Sequence, residues 1–475
     1  MVGNDTIRAL KRYAMGPRPG DAEALDGRVR DWLLAQCDDP SAALISARGA
    51  VSTGALQKDF DDYRKLRHKQ KIETQQMKAE GASAKADADG MADTDKAAAA
   101  LLKKVKSLNP SGKAYRKDAE LRVIKAVTTT APFLERLVTF WSDHFCVSTK
   151  KGGKVRVIAG AYEREAIRPH VLGSFRDMLG ASVRHPAMLL YLDNARSRGP
   201  NSRAGLRSGR GLNENHAREI LELHTLGVGS GYTQDDVINF AKILTGWTLA
   251  RSSASNVGLF EFRDSWHEPG SFVLLGKRYG QKGVAMGEAA LDDIARHPAT
   301  ARHVARKLVR YFGPGTAMPE LEEHLARRFT ETDGDLAEVS RELVKSDALW
   351  QAPEEKLLSP YEMLIATARA LNWKPRGRAI LQAMRVLGQP LWAPPSPAGW
   401  PDDSDSWLAA DALLERLDWA EDIAAQRSYG EDVLGLGRSL FGDALSDYTT
   451  QAMARAESRK QAVAILLMSP EFQRR

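Results

Sequence analysis

Apolar residues recur at helical spacing through most of this chain. Between Leu121 and Phe145 the positions Val123, Ile124, Val127, Phe133, Leu134, Leu137, Val138, Phe140 and Trp141 predict a strongly buried helical stretch. Shorter stripes of the same period are formed by Val29, Trp32, Leu33 and Leu34, by Val237, Phe240, Ala241, Leu244 and Trp247, and by Leu321, Leu325, Phe329, Leu336, Val339 and Leu343. Glu163 to Leu179 reads as one further helix with a kink at Pro169. Strand character is confined to Leu259–Phe262 and Phe272–Leu275, which are expected to pair as one small hairpin around Trp266–Gly270. The fold class is therefore mainly α, a multi-helix globular array with a small β-hairpin.

The pattern breaks between residues 65 and 120. Lys, Ala, Asp and Gln dominate there, with Gly81 and Gly90 interrupting, and the segment reads as a charged insertion, disordered or helical. Gln75 to Asp95 is expected to be a disordered or fraying arm, because it has too little apolar surface to offset the entropy of ordering. The chain then divides into an N-terminal helical part (1–64), the insertion (65–120) and a main helical part (121–475), together one continuous domain.

The most informative polar stretch runs from Asn213 to Gly227. On a helix turning about 100° per residue, Glu214, Asn215, Arg218, Glu219 and Glu222 share one arc. The face is either a solvated surface held by Glu214–Arg218 and Arg218–Glu222 pairs, or a buried polar site in which Asn215, Glu219 and Glu222 converge on a metal, sugar or proton. Gly227 is a helix stop, and Thr233 or an aspartate after it can cap the next helix. In Trp141-Ser142-Asp143-His144-Phe145-Cys146 an aspartate beside a histidine at a helix end is a candidate base or ligand pair, or the histidine is a structural hydrogen-bond donor. His267 sits on the hairpin connection. The loop Gln389–Trp407 holds Trp392, Trp400 and Trp407 among prolines, placed to stack on sugar rings or to seal one helical layer on another.

Charge and composition narrow the classes. The net charge of +7 is uneven: Arg196, Arg198, Arg203, Arg207 and Arg210 lie between Asn194 and Leu212 with no acid, a surface loop or an anion-binding loop. Lys150-Lys151-Gly152-Gly153-Lys154 reads as a solvated loop. No nucleic-acid fold signature accompanies these loops, so nucleic acid is not an expected partner. Cys37 and Cys146 make neither a disulfide framework nor a zinc cluster. No stretch is apolar enough to cross a bilayer and the amino terminus lacks a secretory signal, so the expected compartment is the cytoplasm.

Several motifs occur in a fixed order: Gly16-Pro17-Arg18-Pro19-Gly20, Phe140-Trp141-Ser142-Asp143-His144-Phe145, Pro186-Ala187-Met188-Leu189-Leu190-Tyr191-Leu192, Asn213-Glu214-Asn215-His216-Ala217-Arg218-Glu219, Thr245-Gly246-Trp247, His297-Pro298-Ala299-Thr300-Ala301, Pro395-Ser396-Pro397-Ala398-Gly399-Trp400-Pro401 and Ser469-Pro470-Glu471-Phe472. In these the chain resembles, from near Ala9 to its end, the bacterial domain-of-unknown-function family 1800. The resemblance implies a mostly helical bacterial protein with no established activity. It also implies a neighbour, an uncharacterised protein related to alkaline phosphatases and sulfatases with a twin-arginine export signal. Beside such a neighbour the chain would be exported as a passenger, and its own missing signal would be uninformative. The family pattern commonly has Asn where Asp143 stands and Phe where His224 stands. The first departure weakens any scheme needing a carboxylate at Asp143, and the second argues against His224 as an essential ligand.

Two functions are expected from these residues. The first is a hydrolase of a glycan or of a phosphate or sulfate ester, with His144, Glu219 and Glu222 as acid, base or ligands of a divalent metal, and with Asn213, Asn215, Arg218, Trp141, Trp247, His267 and Trp400 contacting substrate. The second is a non-catalytic helical partner of the phosphatase- or sulfatase-like neighbour or of an anionic or glycan polymer. Its polar residues would then form a network fixing helix register.

Overall fold

The computed structural model describes residues 3–83, 88–209, 211–251, 256–426 and 432–475, and its chain is mainly helical with two small two-stranded sheets. The helix Pro132–His144 lies at the centre. Proline occupies its first turn, where a missing N–H leaves no bond unmade. Phe133, Leu134, Leu137, Val138, Phe140 and Trp141 are all buried, as their period predicts. So are Glu135 and Arg136, while Thr139 and Asp143 form the half-buried side of this helix.

Buried charges need partners, since an unpaired ion in the interior costs several kcal/mol. Arg168 supplies one set. Its guanidinium donates to both Glu135 oxygens (2.7 and 3.0 Å), to Glu163 (3.0 Å) and to the Ala43 carbonyl (2.8 Å). Glu163 in turn pairs with Arg122 at 3.2 Å and accepts from Ser142 Oγ (3.0 Å) and Trp392 Nε1 (3.1 Å). Burial works to raise the Glu163 pKa, but the Arg122 and Arg168 charges outweigh it and hold the carboxylate ionised. Arg136 meets Glu362, which also takes Arg475 from the end of the chain at 3.1 Å. The apolar core around these pairs is continuous from Ile7 to Phe472, and Leu56, Phe60, Tyr63 and Val105 of the flanking helices join it.

The structure decides between two alternatives for one segment and corrects two local expectations. The described part of Gln75–Asp95 is helical: the helices Thr53–Ser83 and Ala88–Ser107 pack on each other, and residues 84–87 lie outside the described residues. Alanine, lysine and glutamine favour helix, and Thr74, Ala98 and Val105 are buried at the seam. Next, the two β segments do not pair with each other. Strand β1 (Trp247–Leu249) pairs with β2 (Phe260–Phe262), and β3 (Phe272–Leu274) with β4 (Lys277–Tyr279). Between β3 and β4, Leu275 (φ 51°) and Gly276 (φ 78°) make a two-residue turn with positive φ at both positions, the geometry that matches strand twist. Finally, Pro169 ends a helix rather than kinking one: a π turn (Glu163–Ile167) and a 3₁₀ turn (Arg168–His170) intervene before the Ser174-capped helix Phe175–Arg184. No helix among the described residues is long and apolar enough to cross a membrane.

Replacing Arg168 by Met leaves Glu135 and Glu163 short of a buried cation. We expect a loss of about 3–5 kcal/mol in urea unfolding at pH 7. Replacing Arg296, whose ion pair with Asp333 is on the surface, should change stability by no more than about 1 kcal/mol.

Candidate active site

The central helix ends at His144, and the proline-rich loop after Gln389 closes over that end. Gly399 (φ 92°) lies so near that a Cβ on it would stand 2.5 Å from the Asp143 carboxyl. Asp143 Oδ1 accepts the Trp400 N–H at 2.9 Å. Between this loop, the helix end and the helix Pro298–Phe312 lies a cavity of about 420 Å³, lined by Phe140, Asp143, His144, Lys307, Tyr311 and Trp400 among others. A smaller one of about 80 Å³ shares Asp143, Tyr311, Trp400 and Asp402 and reaches Lys356 and Glu362.

Several polar groups on the larger cavity have no partner. Lys307 is half-buried and makes no hydrogen bond or ion pair among the described residues. The Tyr311 hydroxyl and His144 Nδ1 are buried and unbonded. Burial raises the Asp143 pKa to about 7, against the Trp400 N–H and the Lys307 charge that favour its anion. It lowers the Lys307 pKa, against Asp143, Cys146 and Asp402. Asp402 forms a 2.5 Å pair with Lys356; burial pushes the carboxyl up and, helped by Arg475, pulls the amine down to about 8. At neutral pH Asp143 is therefore poised between acid and anion beside Lys307, each favouring the charged form of the other.

His144 is held as a neutral ring. Burial, then Lys307, His224 and His303, drive its pKa far down. Its Nε2 lies 3.0 Å from the His224 carbonyl, an acceptor only, so Nε2 carries the proton and Nδ1 a lone pair. His303 Nε2 contacts the Leu223 carbonyl in the same way at 3.1 Å. These two rings cap the end of the second sequence motif. Asn215–Glu219 is α-helical, but Ile220–His224 is a π turn, so the assumed wheel is lost after Glu219.

The motif's charged face lies part-exposed. Arg218 pairs with Glu214 (3.0 Å) and Glu222 (3.5 Å), and Gln234 bridges Arg218 and Glu214 to the following helix, which Thr233 and Asp236 cap reciprocally. Burial and then Glu222 raise the Glu219 pKa, against Arg218. Asn213 Oδ1 accepts the Asn215 N–H in a local turn. Trp141 and Trp247 are fully buried among aromatic rings, and His267 Nδ1 lies 2.9 Å from the Thr245 carbonyl. No three His, Cys, Asp or Glu side chains gather to hold a metal among the described residues, so His144, Glu219 and Glu222 do not form the expected triad.

Of the expected residues, the cavity therefore collects His144 and Trp400 but not the carboxylates of the Asn213–Gly227 stretch. Sequence reasoning missed Lys307, Tyr311 and Asp402. A signal existed for the first: Lys307 falls on the stripe Thr300, Val304, Tyr311, where an apolar residue is expected and a lysine is out of place.

Fold and cavity together define a mainly helical protein with a cleft at the end of its central helix. The chain belongs to the family described as "Protein of unknown function (DUF1800)", whose model matches residues 8–474. No similar curated protein or solved structure is found.

Asp143 ionises in the folded chain near pH 7 but near 3.8 when exposed, so raising the pH between those values costs the native state stability. Asp143→Asn keeps an acceptor for the Trp400 N–H and removes that cost. The variant should match the parent near pH 4 and exceed it by about 1–3 kcal/mol at pH 8 in urea unfolding.

Proposed function

We propose that this protein is a hydrolase acting on an anionic glycan, cleaving a glycosidic bond or a phosphate or sulfate ester on it. One observation carries the reading: Asp143, His144, Lys307 and Tyr311 line a single 420 Å³ cavity, and the Lys307 amine has no hydrogen-bond or ion-pair partner among the described residues. Buried polar atoms are rarely left unbonded, and a ligand rich in oxygen would satisfy them. Trp400 and Phe140 offer the apolar wall on which a sugar ring packs. Lys307 takes the anionic group. Protonated Asp143 gives its proton to the leaving oxygen as the bond to it breaks, water takes the place of the leaving group, and the proton the water loses is taken up by the Asp143 carboxylate. A carboxyl ionising near the working pH is suited to this transfer, typically worth about 10²–10⁴-fold in rate.

The test is a panel of fluorogenic aryl glycosides, uronides, phosphates and sulfates between pH 5 and 8. Turnover of one class is expected, with kcat falling on the alkaline side of pH 7, a loss of about 10²-fold in kcat for Asp143→Asn, and a rise chiefly in KM for Lys307→Met. A pure chain that hydrolyses nothing on the panel, or the same residual rate in both variants and the parent, rejects the reading.

The second reading, a helical partner of a folded phosphatase- or sulfatase-like protein, has a separate observation behind it. Leu413, Leu414 and Leu417 of the helix Ala410–Gln426 are exposed together with Leu408, Leu414 by 61 %. An unpartnered apolar face of this kind marks an interaction surface.

A further inference from the structure

Two basic loops take no part in the cavity above, and the fold brings them together. The turn Gly153–Arg156 packs against the helix Pro186–Tyr191. Just after that helix Asp193 adopts a left-handed backbone (φ 61°) and places its carboxylate 2.5 Å from Lys151 Nζ. Between the loops lies a cavity of about 290 Å³, lined by Lys151, Gly152, Gly153, Lys154, Asp193 and Arg196 among others. A Cβ on Gly153 would stand 2.7 Å from the Phe60 ring, so the loop is pressed onto the helix Thr53–Ser83.

The charge around this cavity does not balance. Asp193 answers Lys151, but Lys154 and Arg196 have no hydrogen-bond or ion-pair partner among the described residues. Lys154 is half-buried, and burial, then the neighbouring Arg64 charge, depresses its pKa, with Arg196 adding to the effect against Asp61. Cations held close in a concave site without counter-charge create a positive potential that an anion relieves.

We propose that the cavity between Lys154 and Arg196 binds a tetrahedral oxyanion, a phosphate or sulfate group, either free or esterified to a sugar. Guanidinium and ammonium donors then make charge-assisted hydrogen bonds to its oxygens, and the Lys151–Asp193 pair holds the rim.

The experiment is isothermal titration of the full chain at low ionic strength with inorganic phosphate, inorganic sulfate, glucose 6-phosphate and sodium chloride. Saturable binding of phosphate or sulfate is expected, weakening as salt is raised. Lys154→Met and Arg196→Met should each weaken it by about tenfold or more, while both variants keep the parent's thermal unfolding in the absence of anion. Lys307→Met, in the other cavity, should leave unchanged the component of binding that the Lys154 and Arg196 variants lose, and so separates the two sites. Glucose 6-phosphate binding tighter than inorganic phosphate assigns the esterified group; the reverse assigns the free ion. Chloride binding equal to phosphate, or equal phosphate affinity in the parent and the Lys154 and Arg196 variants, overturns the proposal.

Discussion

A side chain buried in the core cannot carry charge unless the charge is matched, and that constraint organises this protein. Glu135 is buried on the helix Pro132–His144, so Arg168 must reach it, and Arg168 then fixes Glu163. Glu163 draws in Arg122, Ser142 and Trp392. Four separate stretches are tied by one network: the helix Pro110–Thr128, the central helix, the irregular Glu163–His170 turns and the proline-rich loop. Each partner satisfies a group that would otherwise be orphaned, so the loss of one exposes the rest. Replacing such a network by apolar residues of equal volume can be neutral; deleting one member is not.

The network also locates the cavity. Ser142 and Trp392, two of its outer members, are neighbours in sequence of the residues that line it. Ser142 precedes Asp143, and Trp392 begins the loop that delivers Trp400. The helix end and that loop are thereby joined from beneath, through Glu163, as well as directly by the bond from the Trp400 N–H to Asp143. This leaves Lys307, Tyr311 and His144 Nδ1 free of the work of holding the structure together, and unbonded polar atoms in a packed interior persist only where something else over-determines their positions.

What was legible in the sequence follows the same division. Helices whose burial is apolar and periodic were readable, because period alone reports which face is covered: Val123 to Trp141, Val237 to Leu244 and Leu321 to Leu343 lie as expected. The β segments were found but mispaired, since Gly246 and the Leu275–Gly276 turn, not hydrophobic pattern, decide which strands meet. The π turn at Ile220–His224 was invisible for another reason. The carbonyls at its end are met by rings from His144 and His303, each 80 residues away in sequence, so its cause is tertiary. The Asn213–Gly227 face drew attention by its density of charge, yet nearby Arg218 and Gln234 answer that charge. Lys307 was overlooked because a single lysine inside an apolar stripe changes the period very little, although an unpaired one is the stronger sign.

Position 143 separates architecture from chemistry. The Trp400 N–H needs an acceptor at that point, and Gly399 leaves room for a side chain of this size and no larger. An amide meets that requirement as well as a carboxyl does, which accounts for the Asn that the family resemblance implies at this place. The carboxyl adds only a proton that moves near neutral pH, beside Lys307. Asp143 therefore serves the architecture as an acceptor and the chemistry as a titrating carboxyl. Asp402 and Asp403 are further carboxyls on the same wall, and Asp402 is raised by burial and paired with Lys356. A site in which burial pushes both Asp143 and Asp402 up can lose one to an amide and still keep a titratable group against the ligand, while Lys307 and Arg310 supply its positive charge.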